Sequence, residues 1–561
     1  MKKIIILLKR KEFGNMKKSI VISLILIVRF TDSTSQTLQW AKQFGGIQVD
    51  IATSNAIDQA GNIYVTGFTE ASSPDCFIYK IDSNGVILWN KLIGGPGVDG
   101  SYEIVCDNNS NIYISGYFGD SVDFDPGPGV TLLKSQSTSS AFLLKLDSAG
   151  NFIWVKVVSG SEFSYDRGTS CVVSDGNVFW AGIFSDTLHF IDITNDSLMG
   201  HSKGISDVFI AKLDGSGNLN WIKTFGGGDE DYVNSINLNS SGDILLVGEF
   251  KGLCDFNPDT VINYDLLSYG YSDIYICELD SGGNFAWAKQ LGGANYSIGS
   301  NLTIDNLDNI YGIGYFIDTL DADPSANVFN LISNGLTDVC LFKLDNGGNL
   351  IWAKSWGSTG SDEGMGIVID SVNNIYTTGA FNDTVDFDPG TSIYNLTSTG
   401  GVNTFISKLD SAGNFIWANQ IKGSNNIGLS IKLDAHEKIY VAGEFGGTCD
   451  FDPSNNLYNL TSAGMGDAYI FKWSQPITGL YDNYTNTLIK VFPNPFTETV
   501  QINVIEKATV TISSITGQVI LRTILPVGIN TIDMASQKSG TYLLNVLTDK
   551  SSSNAMVVKS D

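Results

Sequence analysis

The stretch LQWAKQFGG, Leu38 to Gly46, decides how this chain is read. Its closest internal match is AWAKQLGG at 286–293, yet it stands alone ahead of the segments it resembles. Working outward, the same tryptophan element recurs as GVILW at 85–89, GNFIW at 150–154, GNLNW at 217–221, GNFAW at 283–287, GNLIW at 348–352 and GNFIW at 413–417. The spacings between these tryptophans are 65, 67, 66, 65 and 65 residues. A fixed period of this length marks a repeat architecture.

Each repeat carries four strand signals. A weaker run is followed by the N-I-Y-x-x-G type, as in GNIYVTG (61–67), NIYISG (111–116), NIYGIG (309–314), NIYTTG (374–379) and KIYVAG (438–443). GNVFWAG and GDILLVG replace it in repeats 3 and 4. Next comes a strand ending in Lys-Leu-Asp, such as AFLLKLD at 141–147 or VFIAKLD at 208–214, and then the tryptophan strand. The last two are joined by Asp-x-x-Gly, such as Asp147–Gly150. Asp opens such a turn by bonding its own backbone, and Gly takes the left-handed position that closes a bulged hairpin.

The count of strands is uneven. The final repeat ends in DAYIFKW at 467–473 and has no tryptophan strand after it, while Leu38–Gly46 is a spare copy at the start. A chain offset in this way predicts a ring in which the N-terminal strand completes the last sheet and no edge stays open. The expected fold is all-β: a seven-bladed β-propeller over 36–473, a linker over 474–486, and a small β-sandwich over 487–561.

Composition agrees with a β-rich chain. Of 561 residues, 60 are glycine, aromatics make up 11% and charged residues only 16%. The formal net charge is −26, from 33 basic and 59 acidic residues. Such a balance repels phosphate backbones and excludes nucleic acid as a partner. The seven cysteines show no zinc spacing, and most read as small buried hydrophobes. From Met16, MKKSIVISLILIVRFTDSTSQ has a basic start, a short apolar run and small residues after it. That is a signal-peptide layout for residues 1–35, and no segment of the mature chain is long enough to span a bilayer.

The end of the chain has a different texture. Strand patterns cover Thr499–Val504, Ala508–Ser513, Val519–Leu525 and Gly540–Thr548, with Gly517 and Gly528 as turn residues. VFPNPF, TVTISSITGQVI, GINTIDMASQKSGTYLLNV and a final strand ending near Lys559 follow in order. This segment resembles the type A C-terminal sorting domain of the bacterial type IX secretion system. Pro493, Asn494, Pro495, Gly517, Gly540, Tyr542 and Lys559 carry the motif. The resemblance implies export by that machinery and a secreted or outer-surface location in a Gram-negative bacterium. Residues 38–473 are similar to the bacterial seven-bladed β-propeller repeat family, which implies a fold and no particular reaction.

The polar motif beyond the turns reads VDFDPG at 122–127 and 385–390, and CDFDP at 449–453, with CDFNP at 254–258 and LDADP at 320–324 as variants. In a strand, Val122 and Phe124 face one way while Asp123 and Asp125 face the other. The pairs Asp123 and Asp125, Asp386 and Asp388, and Asp450 and Asp452 are candidate Ca²⁺ ligands, although calcium takes six to eight oxygens and a solvent-facing strand end, with Pro126 or Pro389 stopping the pairing, accounts for them better. No other cofactor is indicated. There are only three histidines, and H-E-x-x-H and a phosphate loop are both missing. The expectation is a monomeric binding or scaffold module for a surface glycan or protein ligand. The alternative is an extracellular polysaccharide hydrolase or lyase that uses propeller carboxylates. Residues that break the repeat, Trp180, His189, His201, Trp356 and the Tyr-rich stretch 264–275, are further candidates for ligand contact.

Overall fold

The structure is a computed structural model that describes residues 36–69, 74–192, 195–259, 261–475, 489–492, 497–504, 507–514, 518–547 and 552–559. The segment 1–35 expected to be a signal peptide, the residues Pro493, Asn494, Pro495 and Gly517, and most of the expected linker lie outside those residues. Ser474 ends the strand Asp467–Ser474, and Gln475 hydrogen-bonds the Tyr376 hydroxyl. The described residues are all-β, and no helix among them is long and apolar enough to cross a membrane.

Ser35–Pro476 is one compact unit. Among the described residues it contains seven antiparallel sheets of four or more strands, six of them built on four strands taken in chain order. The first strands are Asp50–Ile57, Gly100–Cys106, Arg167–Ser174, Asp231–Leu238, Ser297–Ile304, Glu363–Ile369 and Asn426–Leu433. They touch one another in chain order, and Asn426–Leu433 also touches Asp50–Ile57. In the seventh sheet the fourth strand is Thr37–Phe44, antiparallel to Asp467–Ser474 with Ala41 opposite Phe471.

Repeated side chains explain the sheet-to-sheet packing. In the second sheet, Asp107 accepts from the Asn111 backbone and amide and from the Tyr113 hydroxyl. Lys145 lies 4.8 Å over the Tyr113 ring and donates to the Gly215 carbonyl of the next sheet at 2.7 Å. The Trp154 indole N–H reaches the same carbonyl. The Asp-x-x-Gly turn is built as the residue types require. Asp147 accepts from the Ala149 and Asn151 backbones, and Gly150 has φ +79°.

Backbone bonds between sheets recur at seven equivalent places. The N–H of Asp99, Asp166, Asp231, Ser297, Asp362 and Asn426 each donates to a carbonyl in or just before the third strand of the preceding sheet. The seventh of these bonds is Asp50 N–H to the Gly466 carbonyl, at 3.1 Å.

Hairpins are added outside the four-stranded cores. Where repeat 3 lacks the Asp-Phe-Asp-Pro element, Thr187–Asp192 and Asn195–His201 instead extend the second sheet. All seven cysteines are free and six are buried. Burial pushes the Cys76 and Cys449 thiols up to about 11.

The C-terminal strands form two sheets. One orders Ile489–Phe492, Thr499–Val504 and Gly528–Asp533; the other orders Val519–Leu525, Ala508–Ser514, Gly540–Leu547 and Ser552–Lys559. Val500, Ile502, Val510, Ile512 and Leu544 share one buried apolar cluster. Gly528, expected in a turn, opens a strand with φ +107°. Lys559 donates to the carbonyls of Ala535 and Gln537, and the Tyr542 hydroxyl donates to the Lys538 carbonyl, so both tie down one loop. Gly540 is exposed and pairs with Lys559.

Candidate functional site

Every first strand carries a β-bulge at the same place. The register shifts fall between Ala52 and Ser54, Ser101 and Glu103, Gly168 and Ser170, Val233 and Ser235, Gly299 and Asn301, Gly364 and Gly366, and Gly428 and Ser430. A bulge leaves one residue unpaired and re-aims its side chain. The residues so placed are Thr53, Tyr102, Thr169, Asn234, Ser300, Met365 and Leu429. All seven line a single cavity of about 550 Å³.

The N-I-Y-x-x-G glycine makes the bulge possible. A Cβ on Gly248 would lie 1.9 Å from the Tyr232 carbonyl oxygen, and one on Gly314 would lie 1.9 Å from that of Ile298. Only glycine lets the second strand approach the bulged first strand this closely. The residue after each glycine lies beside the bulge and differs from sheet to sheet. It is Phe68, Ile183, Tyr315 and Glu444 where it borders the cavity.

The wall of the cavity does not follow the repeat. Thr53, Thr169, Asn234 and Ser300 give one polar arc, and Met365 with Leu429 gives an apolar one. The charged members are Arg167, Lys432, Glu103 and Glu444. Glu103 bonds the Ser54 hydroxyl at 2.8 Å; burial raises its carboxyl, and the nearby Lys432 ammonium draws it back. Arg167 lies 5.5 Å over the Tyr117 ring, which is 5.4 Å from Tyr102. Burial lifts the Tyr102 hydroxyl, and the Arg167 guanidinium partly offsets that. Burial raises the Tyr315 hydroxyl, the Glu363 and Glu249 charges add to that, and burial raises both of those carboxyls as well.

The aspartates singled out from the sequence serve their own loops. Asp123 Oδ1 accepts from the backbones of Asp125 and Thr131 at 3.1 and 2.7 Å, and Asp125 accepts from Gly127. Asp386 does the same for Asp388 and Tyr394, with Asp388 capping Gly390. Asp450 holds Asp452 and Tyr458, and Asp452 holds Ser454. The intervening Phe124, Phe387 and Phe451 are buried. Among the described residues, no group of three or more His, Cys, Asp or Glu side chains is placed to hold a metal ion.

The repeat-breaking candidates scatter. Trp180 is buried and donates to the Ser115 hydroxyl, and Trp356 is buried against Phe387 and Phe405. His189 sits in the added hairpin, opposite Ser159 and Leu198. His201 borders a second cavity of about 580 Å³ beside the Lys203–Asp255 ion pair. In the Tyr-rich stretch, Tyr275 is buried, Tyr264 packs on Phe285, and the exposed Tyr271 lies against Tyr296 at 4.3 Å. The cavity residues drew no attention in the sequence because their strand was the weakest signal. The usable sign was variation at one fixed offset before each glycine motif.

A second group, of buried and half-buried aspartates, recurs between sheets. Asp75 faces Asp99, Asp207 faces Asp231, Asp338 faces Asp362, and Asp467 faces Asp50, the last pair joining the seventh sheet to the first. Burial is the leading cause that raises each of these carboxyls, to about 6 for Asp99, Asp207 and Asp338 and to about 7 for Asp231.

Residues 490–560 match the family described as a secretion system C-terminal sorting domain, and residues 39–71 and 286–315 match the β-propeller repeat. An uncharacterized WD repeat-containing protein of Acanthamoeba polyphaga mimivirus is 24% identical over 378 residues, which is 57% of this chain; the match spans 27% of that relative's length. A protein of unknown function from Bacteroides caccae is similar at 9% identity and a TM-score of 0.30, over 64% of this chain and 93% of its own. A second, from Dyadobacter fermentans, is similar at 10% identity and a TM-score of 0.30, over 77% of this chain and 99% of its own. The chain carries β-propeller repeats and ends in a type IX C-terminal sorting domain, the mark of a secreted or surface-attached protein.

Proposed function

We propose that residues 36–473 form a closed seven-bladed β-propeller followed by a two-sheet sandwich, and that the exported protein of a Gram-negative bacterium is a binding or scaffold module. Its polymer or protein ligand seats in the cavity walled by the seven first strands. Support for closure comes from the seventh backbone bond, Asp50 to Gly466, and from the pairing of Thr37–Phe44 with Asp467–Ser474. The observation that carries the binding reading is the cavity itself. One bulged residue from every sheet borders it, and these side chains depart from the repeat where the packing residues around them do not. Its volume lies within the usual range for small-ligand sites.

The test uses the purified full-length chain on an array of polysaccharides and glycoproteins, with calcium and with chelator. A Ser300→Trp variant that fills the cavity, checked for folding by circular dichroism, is run beside it. Retention lost in that variant supports the reading. Retention that survives it moves the ligand elsewhere, and a silent array counts against a glycan. Loss with chelator would promote the Asp-Phe-Asp loops to cation sites. Shortened products released from a bound polysaccharide would favour a hydrolase or lyase reading instead.

A further inference from the structure

Arg167 is the sole arginine between residues 36 and 475, and it stands in the wall of the cavity. It opens the bulged strand of the third sheet, where the other sheets place residues such as Ile51, Tyr232 or Ile298. Among the described residues it forms no salt bridge, and its Nε is buried without a hydrogen-bond partner. The Tyr117 ring beneath the guanidinium holds it 5.5 Å from the ring centre. An arginine stacked on an aromatic ring keeps its planar fork oriented for a carboxylate. Packing needs do not explain a desolvated donor, since an unpartnered buried polar group is destabilising.

The rest of the wall completes a chemistry. Asn234 and Ser300 supply amide and hydroxyl groups, and the Ser300 hydroxyl is buried without a partner among the described residues. Tyr102 and Tyr232 offer flat faces beside them. Hydroxyl partners, a stacking face and one fork-shaped cation match a sugar ring that bears a carboxylate.

We infer that the cavity takes a uronic acid residue, its carboxylate paired with the Arg167 guanidinium and its hydroxyls met by Asn234 and Ser300. This rests on the reading of the cavity as the binding site. The overall charge of −26 disfavours a long polyanion lying along the surface, so the ligand is a short oligomer or a chain end. Exposed surface charges farther than about 8 Å from the cavity are largely screened at physiological salt.

The experiment is calorimetric titration of the full-length chain with a glucuronate- or galacturonate-terminated oligosaccharide, its neutral glucose or galactose counterpart, and a short peptide with a free C-terminal carboxylate. The expected result is binding of the acid at least about tenfold tighter than the neutral sugar, because charge-assisted bonds are about twice as strong as neutral ones. Arg167→Gln removes that preference, and Arg167→Lys, which keeps the charge without the fork, retains only part of it. Thermal unfolding of both variants separates a lost contact from a lost fold. Equal binding of acid and neutral sugars, or an acid preference that persists in a folded Arg167→Gln variant, overturns the uronate assignment and leaves the cavity as a site. Binding of the peptide alone also overturns it. Acid binding that survives Ser300→Trp overturns both.

Discussion

The indole N–H of Trp40 donates to the Ser83 carbonyl at 3.1 Å. It is the same bond that Trp154 makes to Gly215 and Trp352 makes to Ser411, each reaching the turn of the following sheet. Trp40 comes from the N-terminal strand and Ser83 from the first sheet, and Lys472 reaches the same carbonyl at 3.2 Å. The contact between the last sheet and the first is therefore built with the same chemistry as the junctions at Trp89, Trp154 and Trp352.

Removing that contact should loosen the whole repeat unit. Trp40 is buried, and Trp→Ala substitutions in cores cost about 3–5 kcal/mol. Trp40→Ala is expected to lower the urea midpoint of unfolding of the propeller unit as one transition. An unchanged midpoint would show that the N-terminal strand is dispensable.

The facing aspartates predict an unusual pH profile. Their carboxyls bind protons more tightly in the folded chain than at the ordinary value of 3.8, so stability is fullest below that value. It falls as pH rises toward about 7, the raised value of Asp231. The turn aspartates Asp214 and Asp280 are held low by bonds from Asn218 and Asn284, and their contribution is lost only below the ordinary value. Melting temperature should therefore be higher near about pH 5 than near about pH 8, since a tenfold gain in a carboxyl's proton affinity on folding is worth about 1.4 kcal/mol. Asp231→Asn should flatten the slope, as Asn426 fills the equivalent place in the seventh sheet and accepts from Thr404. A profile that rises with pH would contradict the assignment.

Gly248→Ala tests the bulge. The added methyl would meet the Tyr232 carbonyl at 1.9 Å, and backbone cannot give way as a flexible side chain can. Destabilisation of more than about 2 kcal/mol is expected, in the range of overpacked core sites. Gly46→Ala, with open space around it, is the control and should leave the melting temperature unchanged.

The loop aspartates predict a response to substitution more than to metal. Asp386 Oδ1 holds the backbones of Asp388 and Tyr394, so Asp386→Ala should cost about 1–3 kcal/mol while Asp386→Asn keeps most of the stability. Melting curves with calcium and with chelator should superimpose. A clear rise with calcium would reassign these loops as cation sites.

Sequence alone carried the local structure because every element answers to a short-range rule. Asp147 and Gly150 meet the needs of one turn, and Tyr113, Lys145 and Trp154 recur at fixed spacing because each junction repeats the same packing. The spare strand at Leu38–Gly46 was legible for the same reason, as was the sorting segment up to Lys559. What tertiary structure decided was the cavity. Thr53, Arg167, Ser300 and Leu429 lie far apart along the chain, and the strand that carries them shows no strong pattern, because a bulged residue facing open space answers to no packing partner. Only the convergence of seven bulges brings the arginine, the tyrosines and the polar arc to one wall, and distance across the cavity, unlike a turn or a hairpin, leaves no trace in residue spacing.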